Sequence, residues 1–303
     1  MPLYRHILVI INPKAGPRRI ANIRETVEDH LKREGVLFTL RETGQAGDAL
    51  RWARSAHAEG YDLIAVAGGD GTIREAVEGV ARSGGRVPIA QIPTGSANVT
   101  ARALSIPTGL RRALNVIFTG KTKAFDIGYL PERDRYFVFV AGAGYDAQLI
   151  RDTTREQKKV LGFFAYVATG SKHFFRVRPK QIELEVDNEI YHLRAHTVMA
   201  VNIGTIASLG FSFGPNIDPH DGSLNIMIMS TRTAWASLRV LFKILTKRYY
   251  GFADLKHLQA KTIRVTSNPP IPVQIDGEPM GETPFLAEVI PGAVQFVVPI
   301  DYE

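Results

Sequence analysis

The chain has 303 residues, 45% of them hydrophobic, and its 37 Lys and Arg outnumber its 30 Asp and Glu, for a net charge of +7 at pH 7. This excess favours a polyanionic partner, either nucleic acid or an anionic membrane surface. The chain has no cysteine, which excludes disulfides, thiolate metal sites and a thiol nucleophile.

Membrane-spanning and nucleic-acid-binding signals are both missing from the sequence. Every apolar run is shorter than the roughly 18 residues that a spanning helix needs, and the amino end lacks a signal-peptide layout. Zinc-ligand spacing, an aromatic RNP pattern and a basic low-complexity tail are also absent. We therefore expect a cytoplasmic protein that binds a membrane peripherally and binds no nucleic acid.

Residues 1–125 alternate between strand and helix patterns, which is typical of a doubly wound α/β unit. The first strand is predicted at His6–Ile11, and the helix after it has apolar residues at helical spacing until Gly35. The next predicted elements are strand 36–40, helix 48–59, a strand ending at Gly68, strand 87–92, and helices 98–104 and 110–118.

From about residue 126 the pattern changes to β. Apolar or alternating runs separated by turns predict a β-sandwich domain over residues 126–289. Its strands are predicted at 135–141, 181–186, 189–202, 224–229, 261–266 and 273–275, with a last strand at 294–299. Two helical stretches, 154–174 and 233–250, interrupt them.

Three predicted strands of the first half end in a glycine-bearing turn before a helix. The turns are Asn12-Pro13-Lys14-Ala15-Gly16, Gly68-Gly69-Asp70-Gly71-Thr72 and Pro93-Thr94-Gly95-Ser96-Ala97-Asn98. Such turns meet in the crevice outside the carboxyl ends of a parallel sheet, where open α/β folds bind ligands. Their backbone N–H groups can close on a phosphate, and we expect Thr72 to cap the helix that follows.

Asp70 places a carboxylate among these turns. Beside phosphates it raises the local negative charge, which a divalent cation between carboxylate and phosphate would relieve. The segment therefore predicts nucleotide chemistry with a metal, although each loop taken alone could be only a tight turn rich in Gly and Asp. The chain contains no Gly-x4-Gly-Lys-[Ser/Thr] loop, which excludes a P-loop ATPase.

These loops resemble the motifs of the diacylglycerol kinase catalytic domain family, which includes bacterial lipid kinases and sphingosine kinases. In chain order they are similar to its N-P-x-x-G, G-G-D-G-T and P-x-G-[ST]-x-N motifs, and Asp221-Gly222 and Asp276-Gly277-Glu278 resemble its later acidic motifs. The resemblance implies transfer of the γ-phosphoryl group of ATP to a hydroxyl of a diacylglycerol-like membrane lipid, with ATP and Mg²⁺ as cofactors.

The resemblance also implies roles for single residues. It assigns nucleotide contacts to the three loops, with Ser96 and Asn98 finishing the cleft, and to Thr43, for which a polar helix-start loop is the alternative. Its proposed general base comes from the Asp276 motif, where we favour Glu278 as the base with Asp276 beside it. Local sequence alone favours a hairpin turn there, since Asp-Gly is a preferred hairpin dipeptide.

A structural magnesium ion is a further implication, on the segment 218–223. Asp221 would be its charged ligand, with Asp218 and Ser223 nearby and waters completing an oxygen shell. An Asp-Gly turn without metal is the alternative.

The chain departs from the family pattern at two positions. Val99 stands where members often have an aspartate, which leaves Asp70 to carry more of the metal binding, and Pro17 stands where a lysine is common. The last strand of the family commonly returns to the first domain, so the tail 290–303 is expected there.

Membrane contact is predicted at the helix 233–250, where Arg239, Lys243 and Lys247 form one basic stripe beside an apolar side. Packing of that apolar side on the sandwich, with solvated lysines, is the alternative. The basic-aromatic stretch 158–176 has the same two interpretations.

Rival functions are a kinase of a soluble acceptor such as NAD and a nucleotide- and membrane-binding regulator with weak catalysis. The lipid acceptor and the oligomeric state, a homodimer included, stay open.

Overall fold

The structure is a computed structural model that describes residues 4–16, 20–144, 179–206, 211–215, 217–230 and 255–302. The chain forms two compact units, one made of Met1–Phe125 with Gly292–Glu303 and the other of Asp126–Pro291. The predicted helices 154–174 and 233–250, the stretch 158–176, and the basic side chains of Arg239, Lys243 and Lys247 lie outside the described residues.

The first unit is built on a parallel sheet flanked by helices. Its strands are β1 (His6–Ile11), β2 (Leu37–Glu42), β3 (Leu63–Gly68), β4 (Ile89–Pro93) and the C-terminal part of β18 (Phe285–Val298). Their order in the sheet is β2-β1-β3-β4-β18. The helices are α1 (Ile20–Arg33), α2 (Asp48–Ser55), α3 (Asp70–Arg82), α4 (Val99–Ala103) and α5 (Leu110–Thr119).

The side chains of β1 from Ile7 to Ile11 alternate between the two faces of this sheet, and all of them are fully buried. Their burial indicates that helices cover both faces. Val27 and Leu31 of α1 pack with Leu114 of α5 in one apolar cluster. Helices α2 and α3 pack on each other so closely that a Cβ at Gly79 would lie 2.3 Å from the carbonyl oxygen of Leu50. The predicted doubly wound fold is confirmed.

The second unit is a β-sandwich, as predicted. One sheet has the order β14-β13-β10-β7-β16-β17 and the other contains β18-β15-β8-β9, with β18 contributing its N-terminal part. Apolar side chains of both sheets, such as Leu184 and Val265 from one and Ala143 and Ile226 from the other, form a single core cluster. The remaining strands, in chain order, are β5 (Lys121–Leu130), β6 (Arg135–Phe137), β7 (Val140–Gly144), β8 (Lys180–Val186), β9 (Glu189–Ala195), β10 (Thr197–Val201), β11 (Thr205–Ile206), β12 (Phe211–Ser212), β13 (Leu224–Met229), β14 (Leu255–Ala260), β15 (Thr262–Ser267), β16 (Pro272–Ile275) and β17 (Glu278–Glu282).

Two predicted strands are each two strands in the structure. The run 189–202 changes sheet at His196, since β9 pairs with β8 whereas β10 pairs with β7 and β13. The run 135–141 is interrupted at residues 138 and 139, which lie between β6 and β7. An apolar pattern that continues through such a break does not reveal it. Strands β5, β11, β12, β14 and β17 were not predicted. None of the described helices is long and apolar enough to cross a membrane.

Candidate active site

The first and second glycine loops are joined through Asn12. Its backbone N–H donates to the carbonyl of Ala67 at 2.9 Å, and its side-chain Nδ2 donates to Oγ1 of Thr72 at 2.8 Å. Its Oδ1 accepts from the backbone N–H of Lys14 at 2.9 Å. Asn12 therefore shapes its own loop and fixes it to the start of α3.

The third loop touches both of the others. Gly16 has a φ of +76°, and a Cβ there would lie 1.8 Å from the carbonyl oxygen of Thr94, so only glycine fits. A Cβ at Gly95 would lie 2.6 Å from Cα of Gly69. The three loops that the sequence identified are thus in mutual contact at the carboxyl ends of β1, β3 and β4.

Asp70 is the first residue of α3, with Gly69 as the N-cap. Its Oδ1 accepts hydrogen bonds from the backbone N–H of Thr100 at 2.9 Å and from the Thr100 hydroxyl at 3.1 Å. Its Oδ2 has no hydrogen-bond partner in the described part of the chain. A carboxylate at a helix N-terminus is favoured by the helix dipole, and here one oxygen of that carboxylate is held while the other stays available.

The prediction that Thr72 caps α3 is wrong. The helix begins two residues earlier, at Asp70, and its N-cap makes no side-chain hydrogen bond. Thr72 is buried in the first turn, where its hydroxyl accepts from Asn12. The lack of a side chain at Gly68 leaves room for Thr72, because a Cβ at Gly68 would lie 2.6 Å from Cβ of Thr72.

Asn98 brings an unsatisfied acceptor to the same loops. It is 7% exposed and has a φ of 48°, in the left-handed region that asparagine tolerates. Its Nδ2 donates to the carbonyl of Gly95 at 2.8 Å, while its buried Oδ1 has no partner among the described residues. A buried acceptor without a donor is costly, which makes Asn98 Oδ1 a candidate contact for a ligand. Ser96 is exposed beside it.

Thr43 lies beside the end of β1, because its backbone N–H donates to the carbonyl of Ile11 at 2.9 Å. The loop that follows is held by Asp48, whose Oδ2 accepts from the backbone N–H groups of Gly44 at 2.9 Å and Gln45 at 3.0 Å. The donors from Gln45 and Gly44 hold the pKa of Asp48 below its usual value. Sequence reasoning missed Asp48 as a brace, although an aspartate four residues after a glycine at a helix start is a recognisable signal.

Asp276 and Gly277 form the two-residue turn of a hairpin, with φ of 47° and 82°. Ile275 of β16 and Glu278 of β17 are the pair that closes this turn. Asp276 is half-buried, whereas Glu278 is exposed. The hairpin that local sequence favoured is present, with one predicted catalytic carboxylate in its turn and the other at the start of β17.

In the segment 218–223, Asp218 and Asp221 accept hydrogen bonds from residues two positions further along the chain. Asp221 Oδ1 accepts from the backbone N–H of Ser223 at 2.9 Å and its hydroxyl at 2.7 Å, and Asp221 Oδ2 accepts from Gln259 at 3.2 Å. Asp218 Oδ1 accepts from the backbone N–H of His220 at 3.0 Å. These carboxylates accept hydrogen bonds from protein donors. The described residues contain no cluster of three or more His, Cys, Asp or Glu that could hold a metal. The magnesium site on this segment stays a prediction.

Sequence reasoning also missed Asp126, which lies within the apolar strand β5 and is 3% exposed. Its Oδ2 accepts from the backbone N–H of Gly222 at 2.7 Å, and its own N–H donates to the carbonyl of Pro219 at 2.8 Å. It therefore anchors the segment 218–223. A single charged residue between the apolar Phe125 and Ile127 could have indicated this role, because a charge that is buried in a strand needs hydrogen-bond partners.

Two family patterns together match most of the chain. Residues 6–130 match the diacylglycerol kinase catalytic domain, and residues 139–298 match the YegS C-terminal NAD kinase beta sandwich-like domain. The boundary between the two patterns lies near the boundary between the two compact units. Both the loops of the first unit and the sandwich of the second are thus covered.

Whole-length relatives agree with these matches. A diacylglycerol kinase from Bacillus subtilis is 28% identical over 278 residues, which is 91% of this chain and 90% of the relative. Another from Staphylococcus haemolyticus is 30% identical over 282 residues, or 91% of this chain and 83% of the relative. The crystal structure of a putative diacylglycerol kinase from Bacillus anthracis superposes with a TM-score of 0.84 at 24% identity over the full length of both chains, which shows the shared fold. The chain therefore belongs to the diacylglycerol kinase family, and it is a kinase.

Proposed function

We propose that the protein transfers the γ-phosphoryl group of ATP to a hydroxyl of a diacylglycerol-like membrane lipid. The observation that carries the proposal is the contact of three glycine loops around Asp70 in the first unit. The named activity of relatives that are 28% and 30% identical along nine tenths of the chain supports the choice of a lipid acceptor.

The loops supply what phosphoryl transfer needs from the nucleotide side. Backbone N–H groups at the start of α3 and the close glycine approaches leave room for phosphates beside the backbone. The available Oδ2 of Asp70 fits a hard cation that prefers oxygen ligands, so Asp70 is the residue that would hold Mg²⁺. Bound there, Mg²⁺ would neutralise charge on the transferred group. Asn98 Oδ1 would accept a hydrogen bond from a donor of the nucleotide.

The acceptor side of the reaction needs a base for the hydroxyl proton. In the proposed step the acceptor oxygen bonds to the γ-phosphorus, the bond from that phosphorus to the bridging oxygen breaks, and ADP leaves. The proton passes to Glu278, whose exposed carboxylate stands at the first position of β17.

Peripheral membrane binding follows from the same proposal, since the acceptor resides in a bilayer. The net charge of +7 and the basic stripe that the sequence predicts at Arg239, Lys243 and Lys247 support attraction to anionic lipid. Vesicle sedimentation should show binding that rises with anionic lipid content and falls with salt, because the Debye length shrinks from about 10 Å at 0.1 M to 3 Å at 1 M. Replacing the three basic residues with glutamine should weaken that binding without changing ATP affinity.

A direct assay separates this function from its rivals. The protein is incubated with γ-labelled ATP and Mg²⁺ in mixed micelles that contain diacylglycerol, sphingosine or no lipid, and separately with NAD in solution. Label is expected in the organic phase with diacylglycerol, as the lipid phosphate. NAD is the second candidate acceptor, because the second half of the chain matches a sandwich pattern named after NAD kinase. Label on NAD alone would contradict the proposal, and ATP binding without any transfer would favour a regulator.

A further inference from the structure

The start of α4 is capped by Asp70, which lies 30 residues earlier in the chain. Asn98 is the N-cap residue of α4, but its side chain makes no capping hydrogen bond. The first N–H groups of a helix have no partner within the helix, and the N–H of Thr100 is one of them. The Asp70 carboxylate supplies the missing acceptor, because its Oδ1 accepts from this N–H at 2.9 Å. The second and third glycine loops are thus joined at the start of α4.

The hydroxyl of Thr100 adds a second hydrogen bond to the same oxygen. Its Oγ1 donates to Asp70 Oδ1 at 3.1 Å, and Thr100 is fully buried, so water cannot replace Asp70 as the acceptor. Turning the carboxylate away would break both bonds and leave a buried hydroxyl without an acceptor, which is costly. Thr100 therefore favours one orientation of the Asp70 carboxylate.

Thr100 is itself held in place by the third loop. Asn98 Nδ2 donates to the carbonyl of Gly95 at 2.8 Å, which ties the N-cap of α4 to its own loop. Gly95 lies against the N-cap of α3, because a Cβ at Gly95 would be 2.6 Å from Cα of Gly69. The donor groups of Thr100 and the carboxylate of Asp70 are thus carried by two helix starts that pack on each other.

We infer that Thr100 is a positioning residue, whose hydroxyl orients the Asp70 carboxylate and keeps Oδ2 available to the Mg²⁺ that accompanies ATP. Orientation matters more here because Val99, at the position where the family often has an aspartate, brings no second carboxylate. Hydrogen bonds that orient a metal-binding side chain typically change metal affinity by about 10- to 100-fold when they are removed. The inference rests on the proposed function for the identity of the ligand, whereas the contact between Thr100 and Asp70 does not.

Four variants isolate the hydroxyl of Thr100. Thr100→Val keeps the branched shape and the backbone N–H but removes the hydroxyl, and Thr100→Ser keeps the hydroxyl but loses a methyl group. If Thr100→Val does not fold, Thr100→Ser and Thr100→Ala give the same comparison, since they differ only in the hydroxyl. The matched control is Thr197→Val in β10, because Thr197 is equally buried and its Oγ1 has no hydrogen-bond partner in the part of the chain that the structure describes.

Calorimetric titration of ATP, with and without Mg²⁺, tests the inference without an activity assay. Without Mg²⁺, wild type and variants should bind ATP alike. The gain in ATP affinity on adding Mg²⁺ should fall about tenfold in Thr100→Val, and it should be retained in Thr100→Ser and Thr197→Val. A full gain in Thr100→Val, or a wild type in which Mg²⁺ gives no gain, would overturn the inference.

A double variant shows whether Thr100 acts through Asp70. Asp70→Asn already lacks the charge that Thr100 orients, so adding Thr100→Val should lower the Mg²⁺-dependent gain no further. A further tenfold loss in the double variant would overturn the positioning role. Failure of the proposed function would be seen separately, as a wild-type protein that labels no lipid in the micelle assay. The titrations with ATP and Mg²⁺ would then still decide the role of Thr100.

Discussion

The dipeptide Asp-Gly occurs in both units, at Asp70 in the first and at Asp276 in the second, but the two carboxylates are bound differently. Asp70 is the first residue of a helix, and among the described residues only Thr100 donates to it, at Oδ1, which leaves Oδ2 for a ligand. Asp276 opens a hairpin turn and gives both oxygens to backbone N–H groups of residues 138–140. The first arrangement suits an electrostatic role toward a ligand, and the second suits a brace.

The donors that decide between these roles come from far along the chain. Thr100 lies 30 residues from Asp70, and Val138 lies 138 residues from Asp276. An acidic dipeptide by itself therefore indicates a turn or a helix start, and its function depends on which donors the fold brings to it. The variants below test that contrast.

The largest effect is expected from Asp70→Asn. The amide oxygen can still accept from Thr100, but the charge opposite the phosphates is lost, so kcat should fall by about 10²- to 10³-fold while the protein stays folded. Glu75→Gln is a matched control, since it removes the same charge from the same helix α3. The assay is lipid phosphorylation in mixed micelles. Near-normal turnover by Asp70→Asn would show that the first-unit carboxylate has no electrostatic role.

A second prediction compares Gly16→Ala with Gly60→Ala. Both positions have positive φ, at +76° and +80°, so each alanine should cost roughly 1–2 kcal/mol of backbone strain. Only at Gly16 does the new Cβ also meet the carbonyl of Thr94, whereas at Gly60 nothing lies within 4 Å. Calorimetric titration should show weakened ATP binding for Gly16→Ala alone. Equal ATP affinity in the two variants would mean that ATP binding does not require the contact between the first and third loops.

A smaller, pH-dependent effect is expected at Asp48. Backbone N–H groups of Gln45 and Gly44 hold its pKa in the folded protein below the unfolded value, so it stabilises the fold above about pH 4 and that contribution is lost as pH falls through the folded pKa. The Tm of Asp48→Asn should lie below that of the wild type at pH 7, and the gap should narrow toward pH 3. A gap that stays constant with pH would contradict the bracing role.

Much of the fold could be predicted from the sequence because its signals are local. The strand at His6–Ile11 and the glycine loops after it depend on short apolar runs and on turn residues, and the structure has them. The sheet change at His196 and the brace at Asp276 could not be predicted, since both depend on pairings between distant segments. Thr72 was misplaced for a related reason, because its hydroxyl binds Asn12 across the loops and not the helix end.

The smallest effect is expected from Val99→Asp. Val99 is the half-buried first residue of α4, directly after Asn98. A carboxylate at this helix start should be tolerated, because the helix dipole favours it by roughly 0.3–1 kcal/mol, and it should tighten Mg²⁺ binding with ATP. Titration of Mg²⁺ at fixed ATP measures the change. Unfolding, or loss of ATP binding, would show that Val99 is a packing residue that the loops require.

The Mg²⁺ dependence of ATP binding tests the contrast between the two aspartates most directly. ATP is titrated into the wild type, Asp70→Asn and Asp276→Asn, each with and without Mg²⁺. Our account predicts that Mg²⁺ tightens ATP binding by the wild type and by Asp276→Asn, and that this gain is largely lost in Asp70→Asn. The same gain in all three proteins would contradict the assignment of the metal-binding role to Asp70 in the first unit.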